Sequence, residues 1–152
     1  MKLSKSQYFI PILLFALALF AAGCTRNNGN IGKQFGQWKV TGFALDGEEN
    51  PEYQGNMFWS FQNTTVEIKF VNDNHQTVTT FGNYRIFDDT LFITFPDEDR
   101  QPPQGLGLKP YVENELHILR LTGSEMILSY TPYGIEGIHG DEATMLLTLK
   151  KW

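Results

Sequence analysis

From Phe35 onward the chain alternates between short stretches rich in Val, Ile, Phe, Tyr, Trp and Thr and clusters of Gly, Pro, Asn and Asp. The alternation is clearest from Thr65 to Phe70, where Val66, Ile68 and Phe70 fall on one side and Thr65, Glu67 and Lys69 on the other. That two-residue period marks a strand buried on one face only. No stretch repeats its apolar positions at a helical period. The punctuation predicts eight strands: Gly36 to Leu45, Asn56 to Gln62, Thr65 to Val71, Gln76 to Phe87, Thr90 to Phe95, Glu115 to Thr122, Glu125 to Thr131, and Thr144 to Trp152. Strands with one wet face and short turns belong to antiparallel sheets. Eight in succession predict an all-β domain, a single eight-stranded antiparallel up-and-down barrel.

The connections alternate in length. Asp46 to Gly55, Pro96 to Asn114 and Pro132 to Ala143 are long, whereas Asn63-Thr64, Asp88-Asp89 and Gly123-Ser124 are tight turns, and Asn72 to His75 is intermediate. In an up-and-down barrel the odd connections share one end and the even ones the other, so one end is tight and the other loopy. Long loops on a rigid scaffold and barrel mouths are where binding residues gather. The segment Asp97-Glu98-Asp99 with Pro102-Pro103 reads as a solvated insertion in the longest loop.

Ahead of the domain, Lys2 and Lys5 precede an uncharged run from Tyr8 to Ala22 that contains Pro11 and ends in Ala21-Ala22-Gly23-Cys24. A spanning helix needs about 20 apolar residues, so this shorter run predicts a signal peptide over residues 1–23. Ala-Ala-Gly-Cys resembles the bacterial lipobox. By that resemblance Cys24, the one cysteine of the chain, becomes a lipidated first residue, and residues 24–34 form a flexible polar tether to a domain spanning 35–152. Thr25-Arg26-Asn27 lacks the Asp next to the cysteine associated with inner-membrane retention and the acidic cluster associated with surface export of bacterial lipoproteins, which predicts an outer-membrane lipoprotein facing the periplasm.

Removal of residues 1–23 takes the formal charge from −5 to −7, because Lys2 and Lys5 leave with the leader. There is no basic stripe, which argues against nucleic acid as a partner. A net anionic domain is repelled by an anionic surface, so membrane retention is expected from the lipid itself, at about 0.8 kcal/mol per buried methylene. With Cys24 acylated, no thiol is left for a disulfide or a cysteine nucleophile. His75, His117 and His139 stand at no metal-ligand spacing, and Asp46-Gly47-Glu48-Glu49-Asn50 departs from the calcium-loop pattern, so no metal or cofactor is expected. Hydrolase, zinc-protease, phosphate-loop and dinucleotide motifs are missing too, and the protein is expected not to be an enzyme.

Gly36-Gln37-Trp38 at the head of the first strand resembles the Gly-x-Trp signature of lipocalins. The segments Phe81 to Ile86, the Asp88-Asp89 turn with Thr90 to Ile93, Leu119 to Leu128 and Leu147 to Trp152 resemble the lipocalin-like domains of Bacteroides-type bacteria. Two features depart from the animal pattern. No Thr-Asp-Tyr motif occurs, and the late arginine that packs on the signature tryptophan is missing, with Lys150 or Lys151 as substitutes. The resemblance implies a lipocalin-like barrel with Gly36 and Trp38 at its floor. If Trp38 points inward, a two-residue period carries Val40, Gly42 and Ala44 inward as a stripe of small residues that leaves room for a guest. Trp59, Phe61, Tyr84 and Tyr130 are the aromatic residues expected to reach that interior.

Two functions follow. One is a lipid-anchored, non-enzymatic protein of the cell envelope that binds a small apolar or amphipathic ligand in the barrel mouth. The alternative is a filled-core accessory module that uses its loopy end for contact with an envelope protein. An interior cavity, present or not, is the observation that separates them.

Overall fold

The computed structural model describes residues 32–99, 101–135 and 143–152. The leader residues 1–23, Cys24 and most of the tether lie outside these residues, as does His139 with its neighbours Asp141 and Glu142. Lys33–Trp152 forms one compact unit. Its elements are β1 (Gly36–Leu45), β2 (Glu48–Glu49), β3 (Met57–Gln62), β4 (Thr65–Val71), β5 (Thr77–Phe87), β6 (Thr90–Thr94), a 3-10 turn at Gln104–Leu106, β7 (Glu113–Leu121), β8 (Glu125–Tyr130) and β9 (Met145–Lys151). Each predicted strand is found within two residues of its expected ends.

Every neighbouring pair is antiparallel, in the order β1-β3-β4-β5-β6-β7-β8-β9, and β9 pairs back onto β1 to close the barrel. The eight long strands make the wall. The ninth, β2, is an adjunct: Asp46 and Gly47 both have positive φ, 51° and 83°, and this two-residue turn folds Glu48–Glu49 back onto Ala44–Leu45. The same turn chemistry serves Asp88-Asp89 between β5 and β6, with φ of 45° and 56°.

Tight and loopy ends are placed as the connection lengths predict. The base carries the turns after β3, β5 and β7, together with the start of β1 and the end of β9. The mouth carries the long connections after β1, β6 and β8 and the shorter one after β4. On the mouth side β1 no longer pairs with β3. There the Tyr53 hydroxyl donates to the Val40 carbonyl at 3.1 Å and the Asn50 amide to the Phe43 carbonyl at 2.8 Å, patching the seam.

The stripe expected along β1 is interrupted. Trp38 and Val40 point inward, but the β1–β9 register shifts between Val40 and Gly42, so that Gly42 faces Thr148 and Ala44 faces Leu146, while Phe43 faces Leu147 and Leu45 faces Met145. Directly opposed residues share a face of the sheet, and Leu147 and Met145 are core residues. This β-bulge therefore turns Phe43 and Leu45 towards the core and Gly42 and Ala44 to the outer face. A side chain added at Gly42 would meet Thr148 Cβ at 3.3 Å, which confirms its direction. One extra residue reverses the phase of everything after it.

Candidate functional site

The base explains the Gly-x-Trp signature. Trp38 is wholly buried and its indole nitrogen donates to the Gln34 carbonyl at 2.7 Å. Lys151 Nζ lies 4.4 Å from the centre of the Trp38 ring and also donates to the Phe35 carbonyl. Lys151 thus occupies the place of the late arginine. Packing against the ring takes water from its ammonium and lowers its pKa. Gly36 has φ of +103°, and a Cβ there would come within 3.1 Å of Lys151 Nζ. The glycine is needed both for its backbone conformation and for the approach of the cation.

Above this floor the barrel is full. Val40, Trp59, Phe61, Val66, Ile68, Ile93, Phe95, Leu116, Leu128, Leu147 and Leu149 are 0% exposed. Side chains this fully covered are enclosed by neighbouring atoms, as in a packed core. Trp59, Phe61, Tyr84 and Tyr130 do reach the interior, as expected, and pack as core: Phe61 meets Tyr84 edge-on at 5.0 Å and Trp59 at 6.1 Å. The room that the small stripe was expected to leave does not exist. Removing Gly42 and Ala44 from the inner face is one reason, and the mouth supplies the other.

The longest connection is not simply a solvated insertion. Asp97 to Asp99 are exposed, but Pro102 is buried, Leu106 is 0% exposed and Leu108 is 6% exposed, both leucines belonging to the core cluster. The loop crosses the mouth as a strap and lowers these leucines into it. Thr80 Oγ1 fastens one end by donating to the Gln101 carbonyl at 2.6 Å, and the Tyr130 hydroxyl donates to the Leu106 carbonyl at 2.5 Å. Asn114 holds the far end, its Oδ1 accepting from the Lys109 amide at 2.6 Å and its Nδ2 donating to the Lys109 carbonyl at 3.0 Å. Burial pushes the Tyr130 phenol well above its ordinary pKa, so it stays a donor. Gly107, with φ of +62°, sits so near the next loop that a Cβ would fall 2.7 Å from Pro132 Cβ, and its carbonyl accepts from the Tyr133 amide at 2.7 Å. Two mouth loops are thereby locked together. The signal for this was present in Leu106-Gly107-Leu108, an apolar pair set in an otherwise polar loop and bracketed by prolines.

Among the described residues, two crevices on the mouth are lined mainly by apolar side chains. One, of about 440 Å³, is lined by Gln101, Pro102, Leu108, Pro110, Tyr133 and Gly134. The other, of about 400 Å³, is lined by Phe43, Leu45, Ile135 and Met145 with Glu48 and Glu49 at its edge. Tyr111, Val112 and Tyr133 are each about half exposed beside the first crevice. Among the described residues, the mouth connections carry eight acids (Asp46, Glu48, Glu49, Glu52, Asp73, Asp97, Glu98 and Asp99) against a single cation, Lys109. No group of three His, Cys, Asp or Glu side chains among the described residues is placed to hold a metal ion.

A model of the lipocalin-like domain family matches residues 17–135. The chain belongs to this lipocalin-like family. Its barrel is similar to the crystal structure of a lipocalin-like protein from Bacteroides uniformis, with 18% identity, a TM-score of 0.54, and 80% of this chain and 100% of that one covered. A protein from Bacteroides eggerthii is similar as well, at 17% identity and a TM-score of 0.53, over 78% of this chain and 99% of that one. A bovine odorant-binding protein, crystallised with its natural ligand, shows 16% identity and a TM-score of 0.43, over 85% of this chain and 77% of the other. At these identities the likeness is one of fold, and it is to the Bacteroides-type form of the lipocalin-like domain. No curated protein matches the chain.

Proposed function

We propose that this lipocalin-like protein is a non-enzymatic module of the bacterial cell envelope. It is anchored by lipid at Cys24 once residues 1–23 are removed, held on the periplasmic face of the outer membrane, and works through contacts made at its mouth. The filled interior carries this reading: with the leucines of the strap joined to the same core cluster as Trp59 and Phe61, the barrel is a scaffold rather than a container. Half-exposed Tyr111, Val112 and Tyr133 beside the crevice of Pro102, Leu108 and Pro110 supply the aromatic and apolar surface that protein contacts favour. A photo-crosslinking residue placed at Tyr111 or Tyr133 is expected to capture one discrete envelope protein in living cells, and the same residue at Thr79 on the barrel wall to capture none. Equal, diffuse labelling from all three positions would sink the proposal. Protease treatment of intact cells is expected to leave the domain uncut, whereas its removal would place the domain on the cell surface.

A second reading is favoured by the crevice of Phe43, Leu45, Ile135 and Met145. Its volume of about 400 Å³ is within the range of small-molecule sites, and its carboxylate edge suits an amphipathic guest with a polar or cationic head. Native mass spectrometry of the untagged protein distinguishes the two: a one-to-one adduct lost on Phe43→Asp supports the small ligand, and a bare chain rejects it.

A further inference from the structure

Net charge conceals a division between the two ends. Among the described residues the mouth connections carry eight acids and one cation, Lys109, whereas the base and the strand ends beside it carry Lys33, Lys39, Lys150 and Lys151 against Asp88 and Asp89, with Arg85 and Arg120 ion-paired to Glu113 at 2.8 Å and to Glu125 at 3.0 Å. The base also exposes large apolar side chains around its rim. Phe35 is 40% exposed, Phe87 63%, Leu119 62% and Trp152 70%. Phe87 sits on the turn between β5 and β6. Leu119 is the extra residue where the β7–β8 register shifts, so it is set outside the regular ladder. Trp152 lies on the outer wall with its ring edge-on to Phe58 at 5.4 Å and Lys39 Nζ 5.3 Å from its centre. Indole and phenyl rings interleaved with Lys and Arg side chains form the composition that settles at the boundary between lipid headgroups and acyl chains.

We infer that the base of the barrel is itself a bilayer-docking surface, with Phe87, Leu119 and Trp152 entering the headgroup layer and Lys39 and Lys150 facing anionic phospholipid. Two observations select a bilayer as the occupant. The nine residue steps from Cys24 to Lys33 reach at most about 32 Å when fully extended, and the chain joins the barrel at its base, so a lipid at Cys24 brings that end to the membrane first. Charge then fixes the orientation, because an anionic surface attracts the base and repels the mouth. The inference rests on lipidation at Cys24, and it changes one consequence of the net charge. The domain as a whole is anionic, yet the face it turns to the lipid is not.

The test uses the full-length, processed protein reconstituted into vesicles of phosphatidylethanolamine and phosphatidylglycerol that carry a headgroup-depth quencher. Trp38 and Trp59 are buried, so Trp152 is the exposed reporter and Trp152→Phe gives the background. The expected result is quenching of the Trp152 emission by ~2-fold or more, weakening as salt shortens the screening length from about 10 Å at 0.1 M to about 3 Å at 1 M. It should be lost in the Phe87→Asn, Leu119→Asn double variant. Both positions are largely exposed, so the variant is expected to fold. Absence of quenching in a protein whose N-terminal peptide mass shows lipid at Cys24 overturns the inference and leaves the anchor standing. Quenching that survives the double variant also overturns it, because the tether alone would then account for proximity. Quenching by an unlipidated protein added to the same vesicles upholds the docking surface as one that binds without the anchor.

Discussion

The base and the mouth are ends of one sheet closed by different means. At the base, connections of two or three residues hold the strands in register and Lys151 over Trp38 completes the floor. At the mouth, a loop from Phe95 to Val112 lays Leu106 and Leu108 over the core and is fastened by side-chain hydrogen bonds from Thr80, Tyr130 and Asn114. The base is thus closed by short turns with Lys151 as its long-range contact, and the mouth by one long loop pinned by side chains of other elements. The difference teaches where change is tolerated: leucines on a loop can leave the core without undoing any strand ladder, whereas Trp38 cannot.

Substitutions at the two ends should separate these roles. Trp38→Ala is expected to have the largest effect, a loss of about 3–5 kcal/mol by denaturant titration, because the floor then holds a cavity that the surrounding wall cannot collapse into. Leu106→Ala should cost about 2–5 kcal/mol. It should raise amide exchange in the mouth loops while the turns at Asn63-Thr64 and Asp88-Asp89 stay protected as before. Equal loosening at both ends would dissolve the distinction. Tyr130→Phe should cost about 1–3 kcal/mol, because it leaves the buried Leu106 carbonyl without its donor. Lys151→Met is the mildest, at about 0.5–1 kcal/mol for a cation over an aromatic face at an exposed site, with its effect confined to the base.

Alkaline pH probes the mouth specifically. Burial raises the Tyr53 phenol from its ordinary value of 10 to about 12, and that of Tyr130 is raised as well. The unfolded chain therefore loses these protons first. Their contribution to stability is complete below pH 10; that of Tyr53 is lost as pH rises through about 12, and that of Tyr130 at still higher pH. Lys151 acts in the opposite direction, since its lowered pKa gives a gain with rising pH in the window below 10.5. Amide exchange followed across that range should therefore show the mouth opening before the base.

Much of the barrel was legible because it depends on local rules. Alternation at Val66, Ile68 and Phe70, turn chemistry at Asp88-Asp89 and connection parity gave the strands, their order and the two ends. Trp59, Phe61, Tyr84 and Tyr130 were correctly directed inward for the same reason. The bulge between Val40 and Gly42 escapes period-two reasoning, which assumes an unbroken ladder, and its one mark is Gly42 itself, a glycine inside a strand run. Asp46-Gly47 is a strong two-residue turn signal, but the acids Glu48 and Glu49 after it carry no strand pattern, so β2 is not marked by composition. The strap was hidden for another reason. Its acids and prolines describe a solvated loop, and only the tertiary partners Tyr130, Pro132 and Asn114 turn Leu106 and Leu108 into core.

The central claim is that the barrel is filled by its own side chains and that recognition belongs to the mouth surface. Xenon occupies dry apolar cavities wherever they exist, so a crystal of this protein held under xenon pressure tests the claim directly. The account predicts no xenon site among Trp38, Val40, Trp59, Phe61 and Leu106. A xenon atom bound between these residues would show an interior chamber and contradict it.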